Sequence, residues 1–392
     1  MQRIDVQERR ARLVVRHRLD PAERAAGPLE VARSLVCLHA TDAVTVYLSI
    51  AARSEGVTPA EVERALYDDR ELIRILGMRR TLWAVPRELL PVVFAAATKA
   101  VAATQRKRLE GFVRESGVTT RPGGWITRAG NAAVAAVAAR GEAMTADVTQ
   151  DVPLLAKKLR FGSGRWAVEQ SAAARLLPQM AMEGRLVRGR PRGTWISPQF
   201  RWATTEDWLG GPIEELDVAA AQADLLRVWL AAFGPATETD VRWWTGWTAR
   251  EARAALAAVG HTEVDLGGTT GYVLADDLEP TPAPEPSAAL LPTLDPTTMG
   301  WKARDWYLGP HGAALFDANG NAGPTIWWDG RVVGGWSQRR DGEIALGLLE
   351  DVGRDARAAI DVEAERLQAW IGDVRFSPGF LPPFQRALAA DD

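Results

Sequence analysis

One pattern recurs along the chain and limits what it can fold into: a group of helical segments followed by a short pair of alternating segments around a Gly-rich turn. The middle copy is the cleanest. Apolar residues fall at helical spacing over residues 126–139, and Gly141 follows. Thr145 stands where it would cap a second short helix, TADVTQDVP, and residues 166–182 read as a third that ends at Gly184. The stretch RLVRGRPRGTWISPQ then carries two alternating segments, 186–188 and 194–197, joined by a Gly/Pro turn. Three helices and then a basic two-stranded hairpin is the winged-helix order, in which the hairpin often touches phosphates.

The order repeats on both sides. Residues 217–233 place Ala221, Leu225, Val228 and Trp229 on one helical face and stop at Gly234-Pro235. Thr237 and Thr248 cap two further helices, and the hairpin HTEVDLGGTTGYVLADD turns at Gly267-Gly268. Upstream, helices are expected over 4–18, 28–35 and 59–69, with a hairpin of 72–76 and 81–85 turned through Gly77-Met78-Arg79-Arg80. A spacing of about 100 residues favours tandem copies of one unit. The expected order is winged helix 1 over 1–87, a connecting helical region over 88–121, winged helix 2 over 122–210 and winged helix 3 over 211–278. The proline-rich EPTPAPEPS then opens a β-rich region over 279–392, with Asn-Gly and Asp-Gly turns and a closing helix near 354–370. The expected fold is mainly α with β: tandem winged-helix units followed by a small β-rich C-terminal domain.

Charge sharpens this reading. A net charge of −3 argues by itself against a polyanion as partner, but the charges are segregated. Arg74, Arg79, Arg80 and Arg87 fall in one stretch without an acid, and Arg185, Arg188, Arg190, Arg192 and Arg201 fall in another. Acids gather in Glu214, Glu215 and Asp217 and again in Asp276, Asp277 and Glu279, so the third hairpin is acidic. Cys37 is the single cysteine, which excludes a disulfide framework and a Cys-rich zinc site. His17, His39, His261 and His311 are too scattered to form a metal site on their own, so no metal is expected. There is no Gly-Lys-Ser/Thr phosphate loop and no dinucleotide fingerprint after a strand, so no cofactor is expected either. The charged N-terminus has no signal-peptide core, and no apolar run approaches the roughly 20 residues of a membrane span; the cytoplasm is the expected compartment.

Chemistry points to LVCLHATDAVTVYLSIAAR, residues 35–53. His39, Thr41 and Asp42 lie between apolar runs, just before a stretch that reads as a buried helix. On an extended segment His39 and Thr41 project together, Ala40 turns to the core, and Asp42 faces away unless the backbone bulges. An imidazole beside a hydroxyl can orient a water for attack on a sugar C1′ that carries partial positive charge. The other reading is a satisfied histidine next to an N-capping Thr-Asp pair, and the residues alone leave both open. Most of the 16 tryptophans, including Trp195, Trp202, Trp208, Trp243, Trp244 and Trp247, are expected in the core.

LVCLHATDAVTVYLSIAAR, LGMRRTLWAVP, EGRLVRGRPRGTWISPQFRW, AAFGPATETDVRWWTGW, LLPTLDPTTMGW and FDANGNAGPTIWWDGRVVGGW together carry a resemblance. From the first helix to the last, the chain resembles the bacterial winged-helix DNA glycosylases of the AlkZ/YcaQ kind. These proteins excise bulky or crosslinking alkylpurine adducts, and some protect producers of genotoxic antibiotics. The resemblance implies repair of damaged double-stranded DNA by a nucleoid-associated monomer that excises cationic N7- or N3-alkylpurines, without cofactor or Schiff base. Members of that family carry Gln-apolar-Gln or Gln-apolar-Asp where this chain has His39-Ala40-Thr41. His39, Thr41 and Asp42 are therefore the candidate catalytic residues. Arg53, Arg79, Arg80, Arg188, Arg190, Arg192 and Arg242 are the candidate DNA contacts, with Gln338 to Arg340 on the C-terminal hairpin as weaker ones. A non-catalytic DNA-binding protein, a regulator or lesion-binding protector, is the alternative, and a winged-helix protein scaffold a more distant one.

Overall fold

The structure, a computed structural model, describes residues 1–162 and 168–390. It is a mixed α/β arrangement in which each of the three expected hairpins is joined by a third, distant strand. Leu72–Leu76 and Leu82–Pro86 pair antiparallel, and Leu38–His39 adds to the outer edge of the second strand. Leu186–Pro191 and Phe200–Thr204 are joined by Glu142–Ala143. His261–Asp265 and Thr270–Leu274 are joined by Gln2–Arg3, which pairs in parallel. A four-stranded antiparallel sheet of Ala288–Leu291, Thr325–Trp328, Arg331–Gln338 and Ile344–Leu348 follows the proline-rich stretch. The closing helix Arg354–Ile371 lies against it, and a further helix, Pro383–Ala390, packs on its long strand.

Helix boundaries follow local chemistry. Asp217 caps Val218–Phe233, while Thr237 and Thr248 form capping boxes with Asp240 and Glu251. Met144, and not Thr145, takes the cap position of Thr145–Asp151; its N–H is accepted by Asp147 at 2.9 Å, and the Thr145 hydroxyl instead accepts from the Trp202 indole. The connecting region is helical from Arg87 to Glu115, passing through a 3-10 turn and a π turn.

Two expectations for the middle unit need correction. The helix expected over 166–182 begins only at Ala173, because Val168–Ser171 pairs as a strand with Lys158–Phe161; Trp166 lies outside the described residues. The second strand of the basic hairpin is Phe200–Thr204, not 194–197. The displaced segment is a loop held by Trp195, which is buried, stacks on Tyr47 at 4.8 Å and meets Trp370 edge-on at 5.9 Å. Burying the indole between two distant elements outweighs continued strand pairing.

The apolar interior forms two main bodies. One runs without interruption through the first hairpin, the helix Val218–Phe233, the C-terminal sheet and the closing helix. The other belongs to the middle unit, around the helices Pro122–Arg140 and Ala173–Met182. In the larger body the helix Ala43–Ala51 is tied to the loop after Ala288–Leu291 by Arg53. That arginine is no DNA contact: it is fully buried, and its five N–H groups reach the His17 and Ser49 carbonyls, both Asp295 oxygens and the Thr297 hydroxyl at 2.6–2.9 Å. Complete pairing is what makes a buried charge tolerable.

Candidate active site

The segment with His39 folds as a sharp strand-to-helix corner. Leu38 and His39 pair with Ala84 and Trp83, and the Ala40 N–H still donates to the Leu82 carbonyl at 2.8 Å. The chain then leaves the sheet, and Asp42 caps Ala43–Ala51, whose residues from Val44 onward are all buried. A corner fixed on one side by a strand and on the other by an immersed helix is rigid, as a reacting group requires.

This corner forms one wall of a cleft of about 410 Å³. Arg188 and Phe200 of the second hairpin, the loop 196–198 and the segment 375–380 form the rest, with Arg74 from the first hairpin. Thr41 is exposed at the wall. Asp42 lies beside it, one oxygen accepting from the Val44 N–H at 3.2 Å and the other from the Gly379 N–H at 2.9 Å. Each carboxylate oxygen keeps a second lone pair, so the group is oriented without being consumed.

The expectation that His39 and Thr41 would share a face is corrected here. The strand ends at His39, so alternation cannot be carried to Thr41, and it is Thr41 and Asp42 that share the cleft. His39 is 5% exposed and is not part of the lining. Its ring meets Trp83 edge-on at 5.1 Å, and its Nδ1 accepts from the Thr41 N–H at 3.4 Å. Burial, aided by the positive charge of Arg79, pushes the imidazole down to about 3, so at neutral pH it is uncharged and a poor base. Its position suits holding the corner more than moving a proton.

The other expected contacts divide. Arg190 is bound to Asp68 at 2.6 Å and Glu63 at 3.3 Å, so in this structure its charge is already paired. Arg79 adopts a positive φ of 55° and packs its guanidinium over Trp243 at 4.0 Å, half-withdrawn from solvent. Arg80 is exposed and reaches Gln105; Arg192 is exposed on the loop of the second hairpin; Arg242 is exposed and only loosely near Glu238, at 3.9 Å.

The fold gathers cations expected at the DNA, Arg80, Arg188, Arg339 and Arg340, with four that the sequence did not single out as contacts, Arg108, Arg175, Arg375 and Arg386. Arg188 is shared by the cleft and a neighbouring hollow of about 270 Å³ that also holds Arg80, Arg108 and Arg175. On the other side Arg375 is shared with a hollow of about 600 Å³ lined by Arg339, Arg340 and Arg386. The cleft thus shares an arginine with each of two further arginine-lined hollows, whose residues come from positions more than three hundred apart. Nothing local in the sequence marks them as one surface. Among the described residues no cluster of His, Cys, Asp and Glu suits a metal ion, and no helix is long and apolar enough to cross a membrane.

Residues 32–370 match the family described as DNA glycosylase AlkZ-like. The interstrand DNA cross-link repair glycosylase of Streptomyces sahachiroi is 28% identical over 330 residues, which span 81% of this chain and 83% of that protein. The solved structure of the Streptomyces sahachiroi DNA glycosylase AlkZ has the same fold: the TM-score is 0.73 at 22% identity, covering 94% of this chain and 97% of that one.

Proposed function

The chain belongs to the AlkZ-like DNA glycosylase family, and from that premise we propose that it removes cationic N7- or N3-alkylpurines from damaged duplex DNA by water attack at C1′, with Asp42 and Thr41 as the reacting wall. The observation that carries this is the Asp42 carboxylate, held by two backbone N–H groups at the edge of a cleft that adjoins the arginine-lined hollows. As the glycosidic bond breaks, its electron pair neutralises the cationic base, which departs. The sugar is left with positive charge at C1′, which a fixed carboxylate stabilises. The Thr41 hydroxyl positions a water whose oxygen attacks C1′, and Asp42 accepts the proton. A positively charged leaving group asks for little further help, so a hydroxyl and one carboxylate are sufficient in place of the family's glutamines.

The three helical units with their hairpins serve as tandem winged helices (1–87, 122–210 and 211–278), with 279–392 closing the cleft from the C-terminal side. Arg80, Arg192 and Arg242 follow the DNA backbone together with the arginines of the hollows, whereas the acidic third hairpin has a structural part. The Streptomyces relative acts on interstrand cross-links; a cleft that adjoins such hollows also admits bulky adducts, so unhooking belongs to the same proposal. The protein works as a monomer in the cytoplasm, at the nucleoid.

Incubation with a duplex carrying a single N7-methylguanine tests the reading. Free base and an intact abasic site are expected, with no strand cleavage and no covalent adduct after borohydride treatment. Strand scission or a trapped adduct would show lyase chemistry, and absence of base release would remove the excision reading altogether.

A further inference from the structure

We propose that Arg74 and Arg188 together form a binding site for one DNA phosphodiester, next to the nucleotide that occupies the cleft. The two arginines come from strands of different units, Leu72–Leu76 and Leu186–Pro191, which pack side by side. Both guanidiniums lie over the Phe200 ring, at 5.9 and 4.4 Å from its centre. Both are partly buried and both line the cleft that holds Asp42.

Neither has a counter-charge. Among the described residues no carboxylate lies within ion-pair distance of Arg74 or Arg188, although Arg190, two positions further along the same strand, has two. Arg74 donates one N–H to the Gly189 carbonyl at 2.6 Å, and its Nε is buried without an acceptor. The Arg188 guanidinium makes no hydrogen bond to a described residue. Burial, and then the charge of Arg74, bring Arg188 down to about 10, so the two groups disfavour each other. Two like charges withdrawn from water with open donors are costly unless an anion completes them. A phosphodiester matches that need, because its two free oxygens suit the planar fork of a guanidinium.

The arrangement also gives the cleft a polarity. A cationic purine is repelled by the arginine pair and attracted by Asp42, so backbone and lesion are sorted to different parts of the same cavity. This rests on the excision reading only in taking DNA as the polymer.

The test is binding of a duplex with a tetrahydrofuran abasic analogue, in which each flanking phosphate in turn is replaced by a neutral methylphosphonate. For the wild type, one position within a nucleotide of the analogue is expected to lower affinity about tenfold, the scale of a charge-assisted contact. In Arg74→Gln/Arg188→Gln the same replacement should cost less than about twofold, and the salt slope should fall by about one unit. If no flanking phosphate matters to the wild type, or if the double variant loses as much as the wild type, the site is overturned. Should the double variant not fold, Arg188→Gln alone carries the same comparison. The analogue cannot be excised, so these outcomes are independent of whether base release occurs.

Discussion

Buried against Trp83, His39 stays uncharged down to about pH 3, because its surroundings are apolar and Arg79 adds a repelling charge. Its unfolded-state pKa is near 6.5, so below that pH the unfolded chain binds a proton that the folded chain refuses. Stability is therefore full above about pH 6.5 and is lost as pH falls toward 3. His39→Gln should remove up to about 1.4 kcal/mol per pH unit of that loss, read by urea unfolding at pH 7, 6 and 5. His17, also pushed well down by burial, leaves a similar dependence in both proteins and cancels in the comparison. Arg53 supplies a second prediction at this scale. Asp295→Asn strands a buried guanidinium and should cost roughly 3–5 kcal/mol by unfolding, while the salt dependence of DNA binding stays unchanged. Residues 39–42 stand out in the sequence as an isolated polar cluster between apolar runs. The roles within it were not legible, because the strand stops at His39 and the turn that brings Asp42 to the cleft depends on the helix cap and on Gly379, 337 residues away.

At the scale of elements, caps and Gly-rich turns were readable because their causes are local. Asp217, Thr237 and Thr248 each act within three residues of themselves. The failures lie where a distant partner decides. The segment around 168–171 has no local reason to prefer strand over helix, and it is settled by pairing with Lys158–Phe161. The residues after Arg192 read as the returning strand until Trp195 is seen inserted against Tyr47 and Trp370. That insertion holds Ile196, Ser197 and Pro198 at the cleft wall. Trp195→Ala should lower stability by about 3–5 kcal/mol in urea unfolding and, by freeing the wall, weaken binding to an abasic duplex. Weaker stability with unchanged DNA affinity would mean that the loop only fills space.

For the whole molecule, a net charge of −3 conceals hollows lined by arginines gathered from the first hairpin, the connecting helix, the middle unit and the C-terminal segment. The family and its DNA substrate were recognisable from motifs spread over the chain. The hollows were not, since no sequence window contains them. Beside them lies a cleft from which His39 has turned inward, leaving Thr41 and Asp42 on the wall. On the reading proposed above, Asp42 and not His39 carries the chemistry. Single-turnover release of N7-methylguanine by wild type, Asp42→Asn and His39→Gln, compared at pH 7.5, tests it directly. Asp42→Asn is expected to lose about a hundredfold, the scale of one well-placed charged or proton-transferring group, and His39→Gln to stay within about threefold of wild type; the wild-type rate, followed from pH 5 to 8, should show no imidazole inflection. The reverse order, with His39→Gln inactive at full stability and Asp42→Asn near wild type, would contradict it.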